Sequence, residues 1–380
     1  MVDTAIVGAG VIGLACAREL ANAGATVTVL EAADVIGQGS SARANGGVRA
    51  QFSTATNIAF SRFSIEAFET LEETTGTLGL HQTGYLLVTG NDMSERSLRA
   101  AADLQRSLGV DTEWLSPDQI AERLPFLRTD GLRAGTFHAR DGFLDPASVV
   151  ATFARDALTT GASILTGARV QAIRRTRSGF RIEHARGSLA ADFVVNAAGS
   201  DAHSTAALLG SDLPVSPVRR NLAHVLEQGG PHALTPMVVD LDTGVLVRRE
   251  PAGGWIVGYA NPADAPGRET HVDPRFFEDL SDRLPNRFPF LLDLPMDPGR
   301  CWAGLYPETP DHHAIVGEDP HVSGLFHCAG FGGHGVMHAP AAGRAIRELI
   351  VGGECSTFDL RPLRPARFAD GDLVVETAVF

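Results

Sequence analysis

The chain has 380 residues, of which 44% are hydrophobic, and carries a formal net charge of −13. This length and apolar content allow a large core and favour two domains, at roughly 150 residues each. The acidic balance and scattered arginines exclude the basic footprint of a protein that binds nucleic acid or an anionic membrane. No run approaches the ~20 apolar residues of a membrane span, and no secretory signal pattern precedes the first strand, so we expect a cytoplasmic protein.

Two residue types narrow the chemistry further. All 32 residues counted as Lys+Arg are arginines. This excludes mechanisms that need a lysine, such as a pyridoxal Schiff base, a P-loop or an oxygen-activating lysine. The four cysteines are far apart and form no CxxC pair, so we expect buried thiols rather than a zinc site or a disulfide. The spacing of His334 and His338 lacks the glutamate of an HExxH motif, and no metal site is expected.

The first thirty residues have the order of a dinucleotide-binding βαβ unit. Ala5–Val7 is predicted as a buried strand, Val11–Ala23 as a helix and Thr26–Leu30 as a second strand. Such a helix begins at the glycine turn, where its free amide groups and positive dipole end favour phosphate.

A glycine-rich turn and an acidic residue complete this unit. Gly8, Gly10 and Gly13 form a GxGxxG pattern, which gives a tight turn, close approach to a pyrophosphate and close helix packing. Glu31, at the end of the second strand, can accept both hydroxyls of an adenosine ribose and disfavours a 2′-phosphate. The glycine pattern alone is weak evidence, but strand, helix, strand and acid in register predict a dinucleotide site.

The rest of the chain alternates helical and strand-like segments. Helices are predicted over residues 57–75, 93–108, 116–124, 145–161 and 336–351. Strands are predicted over residues 84–88, 163–176, 180–184, 192–196, 245–248, 255–259 and 324–329. Residues 37–47 are predicted to form a functional loop, and alternation between about 215 and 300 indicates an antiparallel substrate-binding sheet. A second glycine turn, Gly330–Gly335, suggests one large ligand held at both ends.

Five motifs in this order resemble the FAD-dependent D-amino acid oxidase superfamily. They are the βαβ unit with Glu31, the loop from Gly39 to Arg49, the strand end Asn196–Gly199, the segment Trp302–Asp311 and the turn Gly330–Gly335. Within the superfamily, Asp240–Gly244 and Trp302–Tyr306 are most similar to the β-subunits of sarcosine oxidase and L-proline dehydrogenase. The resemblance implies an α/β fold, with a Rossmann-like FAD domain of the glutathione reductase type and an antiparallel-sheet substrate domain.

The resemblance also implies domain bounds, a reaction and a cofactor. The FAD domain would comprise residues 1–80, 145–215 and 300–380, and the substrate domain residues 81–144 and 216–299. The reaction would oxidise the C–N bond of a secondary amine or amino acid, sarcosine-like or proline-like, to an imine by hydride transfer to flavin N5. The expected substrate is a small amine or amino acid. A homo-oligomer or a partner subunit is also compatible with the resemblance.

Site residues are carried over position by position. The resemblance implies that the catalytic residues are Arg49, His334, Tyr306 and Arg248. It implies that the substrate-binding residues are Phe52, Arg248, Ile256, Tyr306 and Met337, with Arg220 as a further polar candidate. The implied FAD-binding residues are Gly8, Gly10, Val11, Ile12, Gly13, Glu31, Ala32, Ser40, Ser41, Gly46, Gly47, Val48, Arg49, Val170, Ala197, Ala198, Gly199, Gly330, Gly332, Gly333, His334 and Gly335. His312 and His313 are expected at the surface.

Several familiar anchors of the superfamily are missing from the sequence. Tyr306 stands where glycine and D-amino acid oxidases have a carboxylate-clamping arginine. Phe52 and Met337 replace the arginine and lysine that do this in monomeric sarcosine oxidases. Ile256 replaces the oxygen-activating lysine, and Gly304 replaces the cysteine that attaches flavin covalently, so we expect noncovalent FAD and slow reaction with O2.

Three functions remain open at this point. The first is a dehydrogenase for secondary amines or imino acids. The second is an oxidase that makes hydrogen peroxide without a lysine. The third is a flavoprotein subunit of a larger dehydrogenase.

Overall fold

The computed structural model describes residues 2–227, 233–261 and 263–379. Its α-helices in these ranges are α1 (Val11–Asn22), α2 (Ala55–Thr75), α3 (Asp92–Ser107), α4 (Pro117–Arg123), α5 (Pro146–Thr159), α6 (Ala202–Ala207), α7 (Arg275–Arg283), α8 (Gly335–Arg347) and α9 (Arg367–Asp370). A π-helical turn, Glu348–Gly352, continues α8.

The strands of the same ranges form four sheets. They are β1 (Asp3–Val7), β2 (Thr26–Leu30), β3 (Gly47–Val48), β4 (Tyr85–Thr89), β5 (Glu113–Leu115), β6 (Ala134–His138), β7 (Gly142–Phe143), β8 (Ser163–Leu165), β9 (Val170–Thr176), β10 (Gly179–His184), β11 (Gly187–Ala191), β12 (Phe193–Asn196), β13 (Ser216–Val225), β14 (Met237–Asp240), β15 (Val245–Arg249), β16 (Trp255–Tyr259), β17 (Trp302–Glu308), β18 (Ile315–Glu318) and β19 (Leu325–Ala329).

The first sheet carries the predicted βαβ unit. Its strand order is β18-β19-β12-β1-β2-β8, and all neighbours are parallel except β18 with β19. Apolar side chains of α1, α2, α5 and α8 pack in one core cluster with part of the buried strand residues of this sheet, among them Ile6, Val27 and Val195, whereas others, such as Ala5 and Val194, belong to a second cluster. The carboxyl ends of β1, β12 and β19 therefore meet at one edge, where open α/β sheets bind ligands.

The second sheet has eight strands in the order β17-β13-β16-β15-β14-β4-β6-β5. Its pairings are antiparallel, as expected, except that β14 runs parallel to β4. Strand β17 belongs to this sheet, although the predicted division at residue 300 gives it to the FAD domain. The division therefore does not follow the sheets there, and the domain bounds stay a prediction.

Most predicted elements are confirmed within one to three residues. Ser116 begins α4 with a capping box: its hydroxyl accepts the Gln119 N–H at 3.3 Å, and the Gln119 side chain accepts the Ser116 N–H at 2.8 Å. The single strand predicted over residues 163–176 is wrong, because Gly167 has a φ of +61° and the chain turns there between β8 and β9.

Predictions of exposure are confirmed in part. Cys16 and Cys328 are buried, whereas Cys301 and Cys355 are half-buried. His312 is exposed, but His313 is fully buried, so its predicted surface position is wrong. No helix among the described residues has the length and apolar character needed to cross a membrane.

Candidate active site

A cavity of about 500 Å³ lies between the edge of the first sheet and strand β17. Among the residues predicted to bind FAD, those that line it are Gly8, Gly10, Val11, Ile12, Glu31, Ala32, Ser40, Ser41, Val170, Ala197, Ala198, Gly199, Gly330, Gly332, Gly333 and Gly335. Both predicted glycine turns thus border one elongated space. The remaining predicted positions, Gly13, Gly46, Gly47, Val48, Arg49 and His334, are outside its lining.

The end of the cavity that is bordered by the βαβ unit has polar groups for a ribose and a phosphate. The Glu31 carboxylate accepts the backbone N–H groups of Ala9 at 2.7 Å and Ala33 at 2.9 Å, which fixes its orientation at the end of β2. The Ser41 hydroxyl accepts the N–H of Val11, the first residue of α1, at 3.0 Å. A hydroxyl and the positive end of helix α1 therefore lie together at this end of the cavity, where a phosphate can bind.

The glycines of the motif have two different physical roles. A Cβ on Gly13 would lie 1.9 Å from the Gly8 carbonyl oxygen, and one on Gly8 would lie 2.5 Å from the Ala197 carbonyl oxygen. These two positions need glycine for the packing of the protein itself. Gly10 differs, because its φ of −74° and ψ of 178° suit any residue and its Cβ would approach only the Ser41 hydroxyl, at 3.4 Å. The missing side chain of Gly10 leaves room for a ligand.

The same contrast holds at the second turn. A Cβ on Gly333 would lie 2.6 Å from the Tyr306 ring, and one on Gly330 would lie 2.5 Å from Thr309. A Cβ on Gly335, at the start of α8, would have a single neighbour, the Phe331 side chain at 3.7 Å. The absence of a side chain at Gly335 therefore leaves room for a ligand beside the second turn, as the absence of one at Gly10 does beside the first turn.

Arg49 is buried beside this second turn and is held from several sides. Its guanidinium lies 3.9 Å from the centre of the Phe52 ring, and one terminal nitrogen lies 3.4 Å from His334 Nε2. It also donates to the carbonyl oxygens of Gln51 and Ala378. Burial lowers the pKa of Arg49, while nearby Tyr85 and acidic groups oppose that shift.

His334 of the second turn and His338 of α8 are uncharged in this environment. Burial lowers the pKa of His334 well below its usual value, and the positive charge of Arg49 adds to this effect. Burial likewise lowers the pKa of His338 to about 3. With a proton on Nδ1, neutral His334 can accept from Arg49 through Nε2, so it orients the guanidinium rather than acting as an acid.

A buried carboxylate that no sequence pattern predicts fixes the Arg49 loop. The carboxylate of Asp141 is fully buried and accepts the Ala50 N–H at 2.8 Å and the Gln51 side-chain amide at 3.0 Å. His138 Nδ1 lies 2.7 Å from the same carboxylate. Asp141 lies between β6 and β7, almost a hundred residues from Arg49, and no local pattern marks such a contact.

The predicted substrate residues occupy two regions of the structure. Phe52 and Met337 are buried in the core of the first sheet and its helices, whereas Ile256 lies opposite Arg248 in the pairing of β15 with β16. Tyr306 is the member of the predicted set that lines the cavity. Burial raises the pKa of Tyr306, which keeps its hydroxyl protonated.

The two arginines of the second sheet differ in how they are paired. Arg248 stacks on Phe143 at 4.2 Å, donates to Asn45 at 3.0 Å and forms a salt bridge with Glu250. Arg220 donates to Asp264 at 2.9 Å, and its buried Nε has no hydrogen-bond partner among the described residues. Arg220 and Tyr306 also share a small pocket, which Gly304 and Arg43 help to line.

Comparison with known proteins identifies the family. The family model described as "DAO: FAD dependent oxidoreductase" matches residues 3–349. The chain belongs to this family. The predicted superfamily, the α/β fold and the use of FAD by an oxidoreductase are thereby confirmed.

Three relatives show how far the similarity extends. FAD-dependent oxidoreductase domain-containing protein 1 of Xenopus laevis is 28% identical, over 98% of this chain and 84% of the relative. Glycine oxidase of Geobacillus kaustophilus is 28% identical, over 96% of this chain and 97% of that enzyme. The crystal structure of L-proline dehydrogenase from P. horikoshii matches with a TM-score of 0.91 at 28% identity, covering 98% of this chain and 99% of that chain.

The residues of the cavity fit the cofactor of the family. An acidic residue for the ribose, a helix N-terminus with a hydroxyl for phosphate, and two glycines without protein neighbours inside 3.4 Å lie along one space. Of the four cysteines, Cys328 lines the cavity, and burial raises the pKa of its thiol well above the usual value. A thiol that stays protonated is a poor nucleophile, which agrees with the prediction of noncovalent FAD.

Proposed function

We propose that this FAD-dependent oxidoreductase oxidises the C–N bond of a secondary amine or imino acid, giving an imine. The observation that carries the proposal is Tyr306 on β17, which lines both the cofactor cavity and the small pocket beside Arg220. A substrate in that pocket would lie against the same tyrosine that borders the cofactor cavity. The names of two relatives, glycine oxidase and L-proline dehydrogenase, support amines as the substrate class.

The chain's own residues would bind and orient the substrate. Bound FAD supplies the acceptor for the hydride next to the amine nitrogen. Arg49, buried beside the second glycine turn, would provide a positive charge that stabilises negative charge on this cofactor when it is reduced. Neutral His334, with its proton on Nδ1, would accept from Arg49 and so hold the guanidinium in place.

Arg220 and Tyr306 are our proposed anchors for an acid group on the substrate. The Arg220 guanidinium lies 5.6 Å from the centre of the Tyr306 ring, and its Nε is available to an acceptor. Arg248, the other candidate, is already engaged by Asn45 and Glu250. Both arginines are paired with an acid, but half-buried Arg220 keeps an Nε donor that has no partner among the described residues, and such a donor suits carboxylate binding.

A substrate panel tests the substrate class. Under anaerobic conditions, proline and sarcosine analogues should bleach the flavin faster than D-alanine or glycine. Comparing proline with pyrrolidine separates the contribution of the carboxylate from that of the amine. Faster bleaching by D-alanine than by every cyclic or N-alkylated amine would overturn the proposal.

The anchors are tested separately from the reaction. Arg220→Gln should raise KM for proline-like acids about tenfold or more, because a charge-assisted hydrogen bond is lost. The same change should leave the KM for an amine without an acid group nearly unchanged. Arg248→Gln is the matched comparison. A larger rise in the KM for proline-like acids in that variant would indicate that Arg248, on β15, is the anchor.

The side chain at position 256 bears on which electron acceptor the enzyme uses. Ile256 is buried between His224 and Arg248 in the sheet register and offers no charge to O2. We therefore propose a dehydrogenase, whose turnover with a dye acceptor exceeds its turnover with O2. Equal rates with both acceptors would favour the oxidase alternative.

A further inference from the structure

Residues 371–379 run back to the active site without forming a helix or a strand. Their burial is the reverse of the usual pattern: Leu373, Val374 and Val375 are 42–53% exposed, whereas Glu376 is 1% exposed. Hydrophobic burial of these three side chains cannot hold such a segment in place. Its position therefore depends on polar contacts. Besides those of the buried carboxylate, Asp372 forms a salt bridge with Arg364 at 2.9 Å, and the Glu376 N–H donates to the Asp311 carbonyl oxygen at 3.1 Å.

The Glu376 carboxylate is hydrogen-bonded on both oxygens. It accepts from the Ser53 N–H at 2.8 Å, from the Thr54 hydroxyl at 2.7 Å and from the Asn57 side chain at 3.0 Å. The Ser53 hydroxyl donates to it as well, and the N–H of Ala378 donates at 2.9 Å. Although burial raises its pKa, these bonds leave the net shift downward, so Glu376 is ionised at neutral pH.

These contacts connect the segment to Arg49. Residues Ser53, Thr54 and Asn57 follow Arg49 in the chain and lead into α2. Two residues after Glu376, the carbonyl oxygen of Ala378 accepts from the Arg49 guanidinium. The guanidinium is thus held between Phe52 and His334 on one side and this carbonyl on the other.

We infer that Glu376 is a positioning residue of the active site, which fastens residues 371–379 so that the Ala378 carbonyl holds Arg49 toward the cofactor. This inference rests on the role proposed above for Arg49. Glu376 itself is outside the lining of the cavity and acts through Arg49. Neither the glycine motifs nor the pattern of the final residues marks this contact.

The direction in which the flavin midpoint potential changes in Glu376→Gln distinguishes a positioning role of Glu376 from a direct electrostatic effect of its charge. Loss of the negative charge in Glu376→Gln would by itself make reduction of the flavin easier and raise its midpoint potential. If Glu376 positions Arg49, the variant instead weakens the contribution of that cation, and the midpoint potential falls. We expect the fall, together with flavin reduction slowed about tenfold, because a charged hydrogen-bonded contact is disturbed.

The experiment uses the FAD-loaded enzyme with Glu376→Gln, Arg49→Ala and the double variant. The inference expects Glu376→Gln to add no further loss in an Arg49→Ala background. Hydrogen exchange should quicken in residues 371–379 and 50–57 of Glu376→Gln. Ser53→Ala, which removes one hydroxyl donor, is the milder variant if Glu376→Gln does not fold.

Glu348→Gln is the matched control. This carboxylate is also buried and accepts from the N–H groups of Ser356 at 2.9 Å and Thr357 at 3.0 Å. It follows the C-terminal end of α8, whereas the second glycine turn lies at the N-terminal end of that helix. It should lose stability without any change in midpoint potential. An unchanged or raised potential in Glu376→Gln, or additive losses in the double variant, overturns the inference. An unchanged potential and rate in Arg49→Ala overturns the proposed role of Arg49 as well.

Discussion

At the scale of single residues, the glycines of the cofactor turn are not equivalent. Gly8 and Gly13 leave no room for a Cβ beside protein backbone, whereas Gly10 has an ordinary conformation and a Cβ there would meet one atom, the Ser41 hydroxyl, at van der Waals distance. We predict that Gly10→Leu folds with a melting temperature close to that of FAD-free wild type, yet is colourless and gains no stability from added FAD. Absorbance at flavin wavelengths and thermal unfolding measure the two effects.

A second glycine provides the control for this prediction. A Cβ on Gly352 would have no atom within 4 Å, but Gly352 lies at the end of the π-helical turn and outside the cavity lining. Gly352→Leu should stay yellow. Full flavin content in Gly10→Leu would show that the pyrophosphate lies elsewhere.

At the scale of elements, the first turns of α8 set a limit on acid stability. His338 is buried, accepts or donates one hydrogen bond with Ser61 at 2.9 Å, and has a pKa lowered to about 3 by burial. Because an unfolded histidine titrates near pH 6.5, protons bind the unfolded chain preferentially below that pH. Stability is therefore full above about pH 6.5 and is lost as the pH falls toward 3, by up to about 1.4 kcal/mol per pH unit for this residue.

Denaturant unfolding across pH tests this expectation. His338→Gln should flatten the fall in the free energy of unfolding between pH 6.5 and 4.5. His203, whose side chain is 54% exposed, is the comparison, and His203→Gln should keep the slope of the wild type. Equal slopes for all three proteins would mean that burial does not hold His338 neutral.

Local patterns predicted the elements well and the contacts between distant elements poorly. The βαβ unit, the capped helix α4 and the second glycine turn follow from periodicity, capping residues and glycine spacing within one segment. The buried acids Asp141 and Glu376 are not predicted, because the partners that connect them to the Arg49 loop lie 90–91 and 319–323 residues away and a carboxylate in isolation indicates a surface position. His313 was misplaced for the same reason, since its burial depends on Thr54 and Arg367.

At the scale of the whole molecule, the cavity is bordered by parts of both large sheets, and one ion pair crosses its mouth. Arg268, in the connection between β16 and α7, pairs with Asp201, which directly precedes α6, and donates to the Ser200 carbonyl oxygen at 3.1 Å. Both charged side chains line the cavity. The Gly267 N–H donates to the Pro217 carbonyl oxygen at 2.8 Å and fixes this connection on β13. The pair therefore links the two sides of the cavity.

This pair should slow the release of FAD without deciding whether FAD binds. Its side chains are 56% and 52% exposed, so solvent and salt weaken the attraction. We predict that Arg268→Ala releases FAD about two- to fivefold faster at low ionic strength, and that this difference disappears at about 0.5 M salt. Arg361, exposed and paired with Asp359 away from the cavity, is the control. Stopped-flow release that is as slow in Arg268→Ala as in the wild type and in Arg361→Ala would show that the ion pair does not hinder the cofactor, and that FAD leaves by another side of the cleft.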